Sequence, residues 1–65
     1  MSPKVGGVYK VSYKGVTYPN FKVERIARLR NGCVLAYGYR NEEDRKANGK
    51  MLGIPVTIYA VWEKQ

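Results

Sequence analysis

The sequence predicts a mainly all-β fold, a small five-stranded barrel with a short helix or polar loop near residues 41–49. Short runs in which apolar and polar residues alternate are separated by glycine-containing turns, as is typical of strands joined by hairpins. The chain has 65 residues, and a domain of that size buries only about 60 per cent of its unfolded surface. That burial is marginal for one hydrophobic core and leaves no room for a second, so we expect a single domain over residues 1–65.

The first predicted hairpin begins with residues 8–13, in which apolar and polar side chains alternate with the period of a half-buried strand. Glycine accepts the positive φ that a tight turn requires, so Lys14-Gly15 is the expected turn and residues 16–18 return antiparallel. Proline has no amide hydrogen to donate to a sheet. Pro19-Asn20 is therefore expected to form a bulge, a bend or the end of the strand.

Residues 21–30 allow two interpretations. A helix would collect the apolar side chains on one face, with Asn20 as N-cap and Gly32 as C-terminal cap. A strand is the alternative, because Asn31-Gly32 is a strong hairpin signal and residues 33–39 have the composition of a strand. We favour the hairpin.

A two-residue type I′ turn at Asn31-Gly32 would fix which side chains share a face of this hairpin. The favoured assignment turns one apolar set towards the core and leaves the arginines and tyrosines outward. That set comprises Val23, Ala27, Leu29, Val34 and Ala36. The opposite assignment buries Ile26, Leu35 and Tyr37 and exposes a face of small residues flanked by Arg25.

A polar stretch and a closing strand complete the predicted fold. Asn41 and Asp44 have the spacing of a helix N-cap pair, and acidic residues precede basic ones as the helix dipole favours, so a helix of one to two turns or a loop is expected at 41–49. Residues 54–62 alternate and are expected to form one strand that closes the sheet. One side of that strand would carry Val56, Ile58, Ala60 and Trp62. The core is expected to include Tyr9, Tyr13 and Trp62.

Charge is the strongest indication of function. Twelve Lys and Arg residues against five Asp and Glu give a net charge of +7, and six tyrosines accompany them. Such an excess concentrates polyanions near the surface. We therefore expect a nucleic-acid-binding protein that contacts mainly the backbone, with duplex DNA favoured and RNA as the nearest variant.

The candidate binding residues are basic and aromatic. Arginine forks suit phosphate oxygens, and tyrosine rings can stack on exposed bases or lie against sugars. The assigned set is Lys10, Lys22, Arg28, Arg30, Tyr37, Tyr39 and Arg40. The alternative for the basic residues is that they only solvate the strand faces, and the alternative for the tyrosines is packing in the core.

Other classes of function have little support in the sequence. Without His and with Cys33 as the one cysteine, we expect no enzyme, no cofactor and no metal site. The acidic residues at 42–44 would point in different directions from a first helical turn, where the dipole explains them. Cys33 is expected to be an ordinary strand residue, with a thiolate activated by Arg30 as the alternative.

The expected location and the second functional candidate follow from the same composition. No apolar stretch approaches the roughly 18 residues of a membrane-spanning helix, so we expect a soluble, cytoplasmic protein with no membrane partner. The second candidate is a small interaction module, such as an accessory or inhibitor protein of a phage or prophage, that docks on an acidic protein.

Short turn motifs resemble those of a known family. Tyr13-Lys14-Gly15, Arg30-Asn31-Gly32 and Asn48-Gly49-Lys50, with an apolar strand that ends at Tyr39, are similar in spacing to the seven-kilodalton chromatin proteins of Crenarchaeota. The resemblance covers roughly residues 8–50. It implies an SH3-like barrel that coats duplex DNA through the minor groove with little sequence preference.

The departures from that family concern its binding face. Leu29 stands where the family has a DNA-facing tryptophan, Gly53 stands where it has an arginine, and its C-terminal helix is missing. The other outward positions carry Asn31, Val34 and Ala36.

Residues 56–59, Val-Thr-Ile-Tyr, are similar to a Val-Gln-Ile-Tyr segment of type II dihydrofolate reductases, which also have SH3-like barrels. Both resemblances imply the same barrel class.

Overall fold

The computed structural model describes residues 2–65, which form five antiparallel strands and one short helix. The elements are β1 (Val8–Tyr13), β2 (Val16–Arg28), β3 (Val34–Tyr39), α1 (Glu42–Lys46), β4 (Leu52–Pro55) and β5 (Ala60–Lys64). Their order in the single sheet is β4-β3-β2-β1-β5. The predicted small all-β fold is confirmed.

All five strands contribute to one core. Its buried side chains are Tyr9, Val11, Phe21, Val23, Ala36, Ile54, Ala60 and Trp62. The two edge strands, β4 and β5, both contribute to this cluster, so the sheet must curl around it. Trp62 packs edge-on against the rings of Tyr9 and Phe21, with centroids 5.8 Å apart in each pair. Tyr9 and Trp62 are core residues as predicted, whereas Tyr13 is only half-buried.

The first hairpin has the predicted turn, and Pro19-Asn20 forms a bulge, one of the three alternatives expected there. Lys14 and Gly15 have φ values of 51° and 77°, as a two-residue type I′ turn requires. Farther along, Tyr9 pairs with Phe21 but Val11 pairs with Tyr18, so Pro19-Asn20 lies opposite a single β1 residue and forms a bulge. Because Pro19 needs no ladder partner for its nitrogen, the bulge accommodates it at little cost.

β2 continues from this bulge to Arg28, so residues 21–28 are strand and the helical alternative is wrong. The N-terminal part of β2 pairs with β1 and the C-terminal part pairs with β3. Each part of β2 therefore has a strand partner for backbone groups that a helix would have satisfied internally. A second bulge lies at Glu24, between the pairs that Val23 and Arg25 form with β3.

The connection from β2 to β3 differs from the predicted two-residue turn. Arg28 pairs with Val34, and the amide of Leu29 donates to the carbonyl of Cys33 at 2.8 Å, which leaves a three-residue loop, Arg30-Asn31-Gly32. Gly32 has a φ of 88°, but Asn31 has no positive φ, so the turn is not type I′. A shift of one residue exchanges the faces of a strand.

Both predicted face assignments are therefore wrong in part. Val23 and Ala36 are buried as the favoured assignment expects, but Leu29 is 44% exposed. Ile26, which belongs to the opposite assignment, packs against the core. The bulge at Glu24 causes this mixture, because it changes the alternation partway along β2.

The predicted closing strand is also wrong in part, since residues 54–62 divide between β4 and β5. β4 ends at Pro55 and β5 begins at Ala60. The amide of Val56 donates to the carbonyl of Val34 at 2.8 Å, after which the chain leaves the sheet. Ile58, expected on the same side of one strand as Trp62, is instead 89% exposed, whereas Trp62 is buried.

The polar stretch forms the predicted short helix. The side-chain oxygen of Asn41 accepts a hydrogen bond from the amide of Asp44 at 2.8 Å, which caps the helix N-terminus. Arg45 pairs with Glu42 within α1, and Arg40 pairs with Asp44. The helix buries none of its residues, so local pairs and the cap stabilise it more than packing does.

Candidate nucleic-acid interface

A face of the β2–β3 hairpin points away from the core and carries basic and aromatic residues. Ala36 is fully buried and pairs with Ile26, so their neighbours along each strand point outward. We call this surface the outer face. It consists of Lys22, Arg25, Ala27, Leu35, Tyr37 and Tyr39, which lie opposite one another as the pairs Lys22 with Tyr39, Arg25 with Tyr37 and Ala27 with Leu35.

Arg25 and Tyr37 are the central pair of the outer face. The guanidinium carbon of Arg25 lies 4.5 Å from the centroid of the Tyr37 ring, within the range of a cation–π contact. Arg25 is exposed and forms no ion pair with a carboxylate within residues 2–65. A guanidinium stacked on a ring keeps its in-plane N–H groups free, so these donors remain open to an external acceptor.

Gly53 of β4 supports this arrangement from beside Tyr37. Gly53 and Tyr37 are paired across β3 and β4, and a Cβ atom at Gly53 would lie 2.8 Å from Cε1 of the tyrosine ring. No real Cβ contact is that short, so any side chain at this position would displace the ring. Glycine at position 53 thus leaves Tyr37 where Arg25 can stack on it.

The structure brings together part of the predicted site. Lys22, Tyr37 and Tyr39 lie on the outer face, and Arg30 lies in the loop at the end of the hairpin. Arg28 is exposed but pairs with Val34 on the side of the hairpin opposite the outer face, so the prediction that it lies beside the two tyrosines is wrong. Its place beside Tyr37 is taken by Arg25.

Two further predicted residues do not belong to the outer face. Lys10 lies on a different strand, and Arg40 already forms an ion pair. Lys10 is on β1 opposite Glu63 of β5, so a carboxylate faces it across the strands. Arg40 hydrogen-bonds Asp44 through its Nε atom. Arg25 joins the outer face because of the bulge at Glu24, whose extra residue turns Arg25 outward and which no residue type in the sequence marks.

Most of the Lys and Arg side chains form no ion pair with a carboxylate in the described residues. Of the twelve Lys and Arg residues, Arg40 and Arg45 form ion pairs and the other ten form none within residues 2–65. Near the end of the outer face, the hydrogen bond from Arg45 lowers the pKa of Glu42, and the positive charges of Arg45, Lys22 and Lys46 add to that effect. Glu42 therefore stays ionised and offsets part of the local positive charge.

Other kinds of site have no clear candidate in the described part of the chain. Residues 2–65 contain no group of three or more His, Cys, Asp or Glu side chains that could hold a metal ion. They also contain no helix of the length and apolarity needed to cross a membrane. Cys33 is exposed and unpaired at the end of the hairpin loop. Comparisons with protein-family models, curated proteins and solved structures give no match to this chain.

Proposed function

We propose that this protein binds nucleic acid through the outer face, with duplex DNA as the favoured ligand and the phosphate backbone as the main point of contact. The observation that carries the proposal is the Arg25–Tyr37 pair: an exposed guanidinium, free of carboxylate partners within residues 2–65, is held on a ring at the centre of a basic face. Lys22 and the loop residue Arg30 extend the positive charge on either side.

The geometry supports contact with the backbone more than with bases. Arg25 covers one side of the Tyr37 ring and Gly53 lies close to the ring, so Tyr37 is poorly placed to stack on a base. The free N–H groups of the guanidinium match the geometry of two phosphate oxygens. Phosphate contacts carry no sequence information, so we expect affinity to vary little among duplex sequences.

A pair of matched variants tests the proposed surface. Arg25→Ala and Arg40→Ala each remove one positive charge, but only Arg25 lies on the outer face, while Arg40 already pairs with Asp44. In anisotropy titrations of a labelled duplex at low salt, we expect Arg25→Ala to weaken binding roughly tenfold, as the loss of a charge-assisted hydrogen bond does. Arg40→Ala should cost less than about threefold.

Two results would count against this proposal. Equal losses in both variants would mean that net charge alone, rather than the outer face, attracts the duplex. Absence of binding to duplex DNA, single-stranded DNA and RNA at low salt would exclude nucleic acid and favour the acidic-protein candidate. Circular dichroism of each variant should match the wild type, because neither arginine is buried.

A further inference from the structure

A groove of about 510 Å³ lies between the β1–β2 turn and the segment that joins β4 to β5. We call it the tyrosine groove; it is lined by Tyr13, Lys14, Pro55, Thr57 and Tyr59. Its volume is in the range of ligand sites, and its lining comprises two tyrosine rings and a proline, with three hydroxyl groups and one cation. No residue of the outer face lines it.

Lys14 occupies a backbone conformation that lysine rarely adopts. Its φ of 51° is in the left-handed region, where Gly, Asn and Asp are favoured in a type I′ turn. The ammonium group lies 5.4 Å from the centroid of the Tyr13 ring, at the rim of the groove. A disfavoured residue beside a groove points to a role for its side chain, because asparagine or glycine would form the turn with less strain.

The segment that joins β4 to β5 presents large apolar side chains to solvent. Ile58 and Tyr59 are 89% and 78% exposed, which is unusual for adjacent bulky residues of a small domain. A second groove of about 490 Å³ borders the same segment, shares Thr57 with the first, and is lined also by Trp62. Nε1 of Trp62 is buried and has no hydrogen-bond partner within residues 2–65.

We propose that the tyrosine groove binds an extended acidic segment of a partner protein, with an aliphatic side chain between Tyr13 and Tyr59 and a carboxylate on Lys14. Charge complementarity supports this occupant, because Lys14 is the one charged residue that residues 2–65 contribute to the lining of either groove, and they contribute no carboxylate. Two grooves that border the same segment and share Thr57 fit an extended chain better than a compact molecule.

Two other occupants fit the site less well. A nucleic-acid strand would bring several phosphates to a lining that holds a single cation, whereas the outer face and the hairpin loop hold several. A second copy of the chain would bring two molecules of net charge +7 together, and a two-fold contact between the same groove on both copies would contain no carboxylate. The inference is independent of the proposed nucleic-acid function, since the two surfaces share no residues.

Selection from a random-peptide display library tests the groove while its natural partner is still unidentified. The wild-type chain should enrich peptides in which Asp or Glu adjoins Leu, Ile or Val, and Tyr59→Ala should not enrich them. A synthetic copy of an enriched peptide should change the fluorescence of Trp62, the single tryptophan, and should shift the amide resonances of residues 13–16 and 56–61.

Matched variants then separate the groove from the outer face. Tyr59→Ala should weaken binding of the synthetic peptide about tenfold, as the loss of an aromatic anchor does. Lys14→Gly, which keeps the turn conformation and removes the charge, should weaken it about threefold. Arg25→Ala should leave it unchanged. Equal enrichment by wild type and Tyr59→Ala, selection of basic peptides, or resonance shifts confined to the outer face would each overturn the proposal.

Discussion

At the scale of single residues, two glycines on neighbouring strands have different neighbours. A Cβ atom at Gly38 would lie 1.9 Å from the carbonyl oxygen of Lys22, so an alanine there would push β2 and β3 apart. A Cβ at Gly53 would meet the ring of Tyr37, which is a side chain at the surface of the sheet and can rotate. The first position therefore determines stability and the second determines the geometry of the candidate site.

Gly38→Ala is expected to destabilise the fold by about 3 kcal/mol, because overpacking against backbone cannot be relieved by a rotamer change. Gly53→Ala should cost less than about 1 kcal/mol. Urea denaturation followed by the fluorescence of Trp62 measures both changes in the free energy of unfolding. Similar values for the two variants would contradict the close approach of Gly38 to the β2 backbone.

Gly53→Ala should nevertheless weaken binding to duplex DNA. The methyl group would displace the Tyr37 ring, and Arg25 would lose the surface on which it stacks. We expect a loss of about threefold in affinity, since the guanidinium keeps its charge but becomes more mobile. Anisotropy titration measures this loss; an affinity equal to that of the wild type would show that stacking on Tyr37 does not position Arg25 for binding.

At the scale of elements, α1 depends on charged groups at its surface. Arg45 lowers the pKa of Glu42 chiefly by a hydrogen bond, so the ionised carboxylate is favoured in the folded state. The stabilisation is present above the pKa of Glu42 in the unfolded chain and is lost as pH falls through the lowered folded value. We expect the amide shifts of residues 42–47 to move towards coil values over that acidic range. Glu42→Gln should show the frayed helix already at neutral pH.

The loop between β2 and β3 provides a second test at this scale. Gly32 has a positive φ, so Gly32→Ala should destabilise the fold by about 1 kcal/mol. Asn31 has no positive φ, and its side-chain oxygen accepts a hydrogen bond from the amide of Cys33, a role that aspartate can fill. Asn31→Asp should therefore be nearly neutral. Contacts between the amides of Leu29 and Val34 in nuclear magnetic resonance spectra would contradict this loop, because they would indicate a type I′ turn with Asn31 at positive φ.

How far the sequence predicts the elements depends on whether a local signal fixes them. The turn at Lys14-Gly15, the bulge at Pro19-Asn20 and the Asn41 cap were predictable, because the residues that form each of them are adjacent or within one helical turn. The bulge at Glu24 was not, since no special residue marks it. Because of that single extra residue, Arg25 rather than Arg28 lies on the outer face.

At the scale of the whole molecule, net charge and a defined surface make different contributions to binding. If about five phosphates are neutralised, log affinity should fall with log salt at a slope near −4.5, or about 500-fold between 50 and 200 mM salt. Arg25→Ala should flatten that slope by about 1.

Lys64→Ala, on the edge strand β5, lowers the net charge equally but lies on an element that does not contribute to the outer face. It should slow association at low salt while leaving the slope nearly unchanged, because a remote charge acts through the long-range field. Stopped-flow and equilibrium titrations over this salt range separate the two contributions, and an equal change of slope in both variants would mean that the ligand has no preferred face on this protein.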